Sequence, residues 1–149
     1  MNAMPDGTKT NAFKPKDIVI WLWYWLPPLA WMAMIFYFSH QPSLPRAPGY
    51  RLDAVLKKLT HVAEYVVLFL LLFRAWRRAR SASQALNLSL LTAVTYAISD
   101  ELHQAWVPGR NANGRDVLID ASGALLLWWL LRSRCGRGLF SSRDEYGAE

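Results

Sequence analysis

The sequence has a single cysteine, Cys135, which excludes an intramolecular disulfide framework and any cysteine-rich metal site. It contains no glycine-rich phosphate loop and no cysteine–histidine zinc pattern. Gly136 and Gly138, close together near the end, read as a flexible tail. Acidic residues are scarce, with 11 Asp and Glu against 17 Lys and Arg, and the formal net charge is +6. A basic balance can signal nucleic acid. Here the cations flank apolar blocks, where membrane topology and anionic lipid account for them, and no nucleic-acid partner is expected.

What the chain has in excess is apolar surface and tryptophan. Hydrophobic residues make up 53% of its 149 residues, and eight are Trp. Yet the mean hydropathy is only +0.07, so apolar blocks alternate with strongly charged joints. Indole rings favour the headgroup interface of a bilayer. The first block, Ile18 to Phe38, has 21 residues, enough to cross a hydrocarbon core that needs roughly 20. A cleaved signal peptide is the rival reading, but the run is long and no small-residue cleavage site follows it. Pro27 and Pro28 are expected to kink it. Further blocks run from about Leu59 to Trp76, Gln84 to Ser99 and Val117 to Leu131. The last two are short and must borrow the polar ends Asp100–Gln104 and Asp116–Asp120 to complete a span. The expected fold is therefore all-α, an integral membrane bundle of about four transmembrane helices. Residues 1–16 form an N-terminal tail, 17–132 the transmembrane domain and 133–149 a C-terminal tail. A soluble buried four-helix bundle is disfavoured because the blocks are apolar on every face.

Orientation follows from the cations at alternate joints. Lys9, Lys14, Lys16, the Arg74–Arg80 cluster and the C-terminal arginines place 11 on one side, leaving 6 on the other. The positive-inside rule then puts both termini in the cytoplasm. Glu64, Asp100, Glu101, Asp116 and Asp120 all fall at the opposite, outer face.

Three segments bring polar chemistry there. Lys57, His61 and Glu64 are spaced four and three apart and share one helix face. Tyr96, Asp100 and Gln104 align at intervals of four, with Ser99 and His103 beside them, and Thr92 and Thr95 extend the stripe inward. Asp116, Asp120 and Gly123 share a third face, and Gly123 permits close helix approach. Ionisable residues at membrane depth need a partner or a purpose. This many charges exceeds what locking helices requires, although ion-pair networks can mimic active sites. His61 with Glu64, and Asp100 with His103, have the three-residue offset of carboxylate-bridged metal sites. Such offsets are common by chance, and neither a metal nor a cofactor is expected. Gly109-Arg110 either presents a guanidinium to a phosphate or carboxylate or forms a turn with a capping arginine. His40, in a proline-rich loop, reads as solvated.

The run Tyr96-Ala97-Ile98-Ser99-Asp100-Glu101-Leu102-His103-Gln104 closely resembles the signature of the VanZ-like family. So do the segments that follow it, Val107-Pro108-Gly109-Arg110 and Arg115-Asp116-Val117-Leu118-Ile119-Asp120. Lys58 with His61-Val62-Ala63-Glu64-Tyr65 is similar to that family's motif at the second helix, and Phe38-Ser39-His40-Gln41-Pro42 to its segment after the first. The resemblance covers roughly Ile20 to Leu131. Val62 departs from it where an aromatic residue usually stands, and Lys57 occupies a position that varies. The resemblance implies a multi-pass protein of the bacterial inner membrane. The founding member is associated with low-level resistance to teicoplanin-type glycopeptides, although most members lie outside resistance clusters.

Three functions compete. In the leading one, the outer site binds an anionic lipid headgroup or a lipid-linked cell-envelope component through Lys58, His61, Glu64, Tyr65, Asp100 and Glu101. Gln104, Gly109, Arg110, Asp116 and Asp120 complete that set, and membrane lipids are the expected partners. The second is an enzyme acting on a lipid or peptidoglycan precursor, with Glu64 or Asp100 as general base and His61 as proton shuttle. It lacks a convincing nucleophile, since Ser99 has no triad around it. The third is a structural role in which the cluster only locks helices. A lone-chain transporter is unattractive without an inverted repeat.

Overall fold

The computed structural model describes residues 15–41, 50–108 and 114–135. They form four helices: α1 (Pro15–Ser39), α2 (Tyr50–Trp76), α3 (Ala82–Gln104) and α4 (Gly114–Cys135). No strand occurs among the described residues, in keeping with the all-helical expectation. The rest of both tails, the proline-rich loop and the Gly109-Arg110 turn lie outside the described residues.

The helices are longer than the apolar blocks. α2 starts nine residues before Leu59, at Tyr50, and α3 and α4 carry their helical turns through Asp100–Gln104 and Asp116–Asp120. The physical reason is that no proline or glycine interrupts residues 50–76 or 82–104, so charged turns continue the helix. α1 begins at Pro15, inside the expected tail, because proline suits a first helical turn whose N–H would be unsatisfied anyway. α1 is also one continuous helix through Pro27 and Pro28. Between α2 and α3, Ser81 forms a capping box. Its side chain accepts from the Gln84 N–H at 3.4 Å, and the Gln84 side chain accepts from the Ser81 N–H at 3.4 Å.

α2, α3 and α4 pack on one another, whereas α1 lies mainly against α2. The core is built from Tyr65, Leu68, Phe69 and Leu72 of α2, with Ile35, Leu86, Ala93, Ala97 and Ala124. α3 turns small residues inward, namely Ala82, Ala85, Ser89, Ala93 and Ala97, and Leu91, Ile98 and Leu102 outward. Gly123 sets the closest approach: a Cβ there would stand 2.6 Å from the Val62 carbonyl oxygen and 2.9 Å from Val66. Glycine is therefore the only residue that lets α4 sit this close to α2. Among the described helices, one segment, Lys16–Ser39, is both long and apolar enough to cross a membrane. The other three have 27, 23 and 22 residues and carry charge within their length.

Candidate functional site

The end of the bundle formed by the α1 C-terminus, the first half of α2, the α3 C-terminus and the α4 N-terminus gathers the acidic residues. α3 reaches it with Asp100 and Gln104, one turn apart on the inward face. Asp100 is 2% exposed and Ser39, in the last turn of α1, is 2% exposed. The Ser39 hydroxyl donates to Asp100 Oδ2 at 2.8 Å, and the Gln104 amide donates to the same oxygen at 2.9 Å. Gln104 also donates to Ser39 Oγ at 3.3 Å, closing a triangle between α1 and α3. A buried carboxylate needs such donors, because leaving a charge unpaired away from water is costly.

The second part is centred on α2. His61 Nδ1 lies 3.8 Å from Glu64 and 3.6 Å from Asp120 of α4. These are ion-pair separations, longer than hydrogen bonds. The Gly123 approach explains the second one, since α4 can bring Asp120 to His61 only where the helices nearly touch. Asp120 is buried and within electrostatic reach of Asp100, Glu101, Asp116 and Glu64. Glu101 is itself buried. Lys58 meets Asp116 at 3.9 Å with both side chains well exposed, a pair that contributes about 0–1 kcal/mol. The site thus has an acidic interior and a rim that includes the Lys58–Asp116 pair.

Tyr65 Oη and Asp100 Oδ1 have no hydrogen-bond partner among the described residues, and Trp76 Nε1 at the other end of the bundle shares that state. Tyr65 is fully buried and lies within electrostatic reach of Asp100, Asp120, Tyr96 and Glu64. A native interior satisfies nearly all such groups, so each exception needs an explanation.

Of the residues singled out by sequence, the structure brings His61, Glu64, Tyr65, Asp100, Glu101, Gln104 and Asp120 to this one end, with Lys58 and Asp116 at its rim. Gly109 and Arg110 lie outside the described residues. The expected inward stripe differs in detail. Thr95 and Ser99 are exposed, and Ser99 returns its hydroxyl to the Tyr96 carbonyl at 2.8 Å. Helix phase places Ala93, Ala97 and Asp100 inward instead. Tyr96 does cross to α1, donating to the Met32 carbonyl at 2.6 Å.

Sequence reasoning missed Ser39 and the partner of His40, which is exposed as expected. His40 Nδ1 lies 3.2 Å from His103 Nε2, so one nitrogen donates and the other accepts. Phe36 stacks on His103 with ring centroids 4.2 Å apart. The available signal was position: Ser39 and His40 end the first apolar block where Asp100–Gln104 ends the third.

Neither curated proteins nor solved structures yield a match to this chain. The family model described as VanZ/LLP1 matches residues 24–136, a stretch holding all four helices' packed portions and every acidic-end residue described above. The chain belongs to the VanZ/LLP1 family.

Proposed function

We propose that this chain is a multi-pass protein of the bacterial inner membrane whose acidic end faces outward and binds the headgroup of an anionic lipid or lipid-linked envelope component. All four helices cross the bilayer in this reading, with both termini cytoplasmic. Its support is the outward placement of large apolar residues. Trp23, Leu91, Leu118 and Trp129 are each more than 60% exposed, while α3 turns alanine and serine toward its neighbours and Gly123 lets α4 meet α2 closely. Water would penalise that arrangement and lipid would not, since close packing of small residues drives helix association in membranes. At about 1.5 Å per residue, even the shortest helix spans the roughly 30 Å hydrocarbon core.

The observation that carries the binding reading is the pair of unpartnered buried atoms, Tyr65 Oη and Asp100 Oδ1. A helix lock would satisfy its polar groups, whereas a binding site keeps some for its ligand. Rim cations such as Lys58 suit a phosphate, and the interior carboxylates suit the hydroxyl or amine groups of a headgroup. Membership of the VanZ/LLP1 family is what supports a link to teicoplanin-type glycopeptide resistance.

Native mass spectrometry of the wild type and Asp100→Asn in mild detergent tests this. A lipid or lipid-linked species retained by the wild type and lost from an equally folded variant is the expected result. If both are empty and the variant merely folds less well, the cluster is architecture.

A second reading is favoured by His61, held between Glu64 and Asp120. An imidazole flanked by two carboxylates is suited to moving a proton, as an enzyme acting on the same lipid-linked class needs. Turnover of such a substrate that disappears in His61→Gln, with binding retained, distinguishes it from pure binding.

A further inference from the structure

The opposite end of the bundle carries a separate feature that the acidic site does not use. The start of α1 and the end of α2 enclose a half-open groove of about 320 Å³ lined by Trp21, Tyr24, Trp25, Trp76, Arg78 and Asp17, among others. Its floor is aromatic: Trp25 meets Trp76 edge-on with centroids 4.9 Å apart, and Trp21 stacks on Trp25 at 6.1 Å. Two guanidiniums converge on one ring, Arg74 at 4.6 Å and Arg78 at 5.1 Å from the centre of Tyr24. Cation–π contact holds both in place while their N–H forks remain able to donate.

We infer that this groove binds an anionic phospholipid, with Arg78 meeting the phosphate, Arg74 adding charge beside it over the shared Tyr24 ring, and Trp21, Trp25 and Trp76 flanking the upper acyl chains. The charge complementarity is specific in position. Asp17 is the one acid lining the groove and has an interaction of its own, whereas Arg77 and Arg80 add to the positive field at the same joint. A guanidinium takes a phosphate through two parallel hydrogen bonds, which an ammonium cannot do. Tryptophan beside it is the side chain suited to the depth of glycerol and carbonyl groups. α1, which forms one wall, contains the segment apolar enough to cross a membrane, so its first turns lie at headgroup level. Basic pockets between helices at such a level recognise acidic headgroups. The inference does not depend on what the acidic end binds.

The test uses the full chain in mild detergent, with phosphatidylglycerol and phosphatidylcholine of identical acyl chains as probes, read by native mass spectrometry. The wild type should retain phosphatidylglycerol several-fold better than phosphatidylcholine. Arg78→Gln should lower phosphatidylglycerol retention about fivefold, the effect expected for one cation at a membrane surface. Arg132→Gln is the control. Arg132 sits at the same end but over Trp128, 5.1 Å from that ring and outside the groove, and its loss should leave retention unchanged. Equal retention of the two lipids by the wild type overturns the proposal without recourse to any variant. So does an Arg132→Gln effect as large as that of Arg78→Gln, which means diffuse attraction and no site.

Discussion

The two ends of the bundle solve the problem of charge in different ways. At the acidic end, Asp100, Glu101 and Asp120 are buried and are held by partners far away in sequence, such as Ser39 to Asp100 at 2.8 Å. At the basic end the arginines lie toward the surface, where Arg74 sits over the Tyr24 ring and Arg132 donates to the Asn87 side chain. Buried charge is expensive unless its geometry is fixed, so the acidic end must be built to a definite arrangement. Exposed arginines stacked on aromatics tolerate change at little cost. Fixed geometry therefore concentrates at one end, while the other tolerates change.

The sharpest way to break this contrast is at Gly123. A methyl group there meets the Val62 carbonyl at 2.6 Å, so Gly123→Ala should destabilise the chain by about 1–3 kcal/mol through overpacking. Thermal unfolding in detergent measures this, and the shift of α4 should also withdraw Asp120 from His61. Asp100→Ala comes next: it removes the acceptor of both Ser39 and Gln104 and should cost about 1–3 kcal/mol, seen as a lower midpoint in the same assay. Tyr65→Phe separates site from scaffold. Its hydroxyl has no hydrogen-bond partner among the described residues, so unfolding should occur at the same temperature or slightly higher, while ligand retention falls. Ser81→Ala loses half of a capping box and should cost about 1 kcal/mol, with no effect on acidic-end binding. Arg78→Gln should also leave stability within about 0.5 kcal/mol of wild type. A larger loss would show the basic end to be as rigid as the acidic one.

Helix number and order were readable from sequence because apolar blocks and charged joints alternate, and because no breaker interrupts α2 or α3. The acidic residues were readable as a group for the same reason that spacing by three and four marks a face. Their actual pairing was not. Spacing could align Tyr96, Asp100 and Gln104 but could not reveal that Ser39, some sixty residues earlier, completes the triangle. Nor could it show which side of α3 turns inward, since Thr95 and Ser99 are as polar as their neighbours yet face out. Small residues decided that phase, and Ala93 and Ala97 carry no signal that a polarity pattern would register. His40 is exposed, as its proline-rich neighbourhood suggests, but spacing could not show that α1 and α3 end at the same level and bring it to His103.

α1 touches the rest of the molecule along a narrow seam: Pro28, Ile35 and Ser39 are buried. Between them Trp31 donates to the Glu64 carbonyl at 3.0 Å, and the Met32 carbonyl accepts from Tyr96. Positions 28, 31, 32, 35 and 39 recur at the helical repeat, so the helix is keyed in rotation as well as in place. A turn of one residue would detach all three fastenings at once. α1 can thus dock late, onto a finished trio of helices, and only in one angular setting. The acidic cluster is complete only in that setting, because Ser39 reaches Asp100 from the last turn of α1.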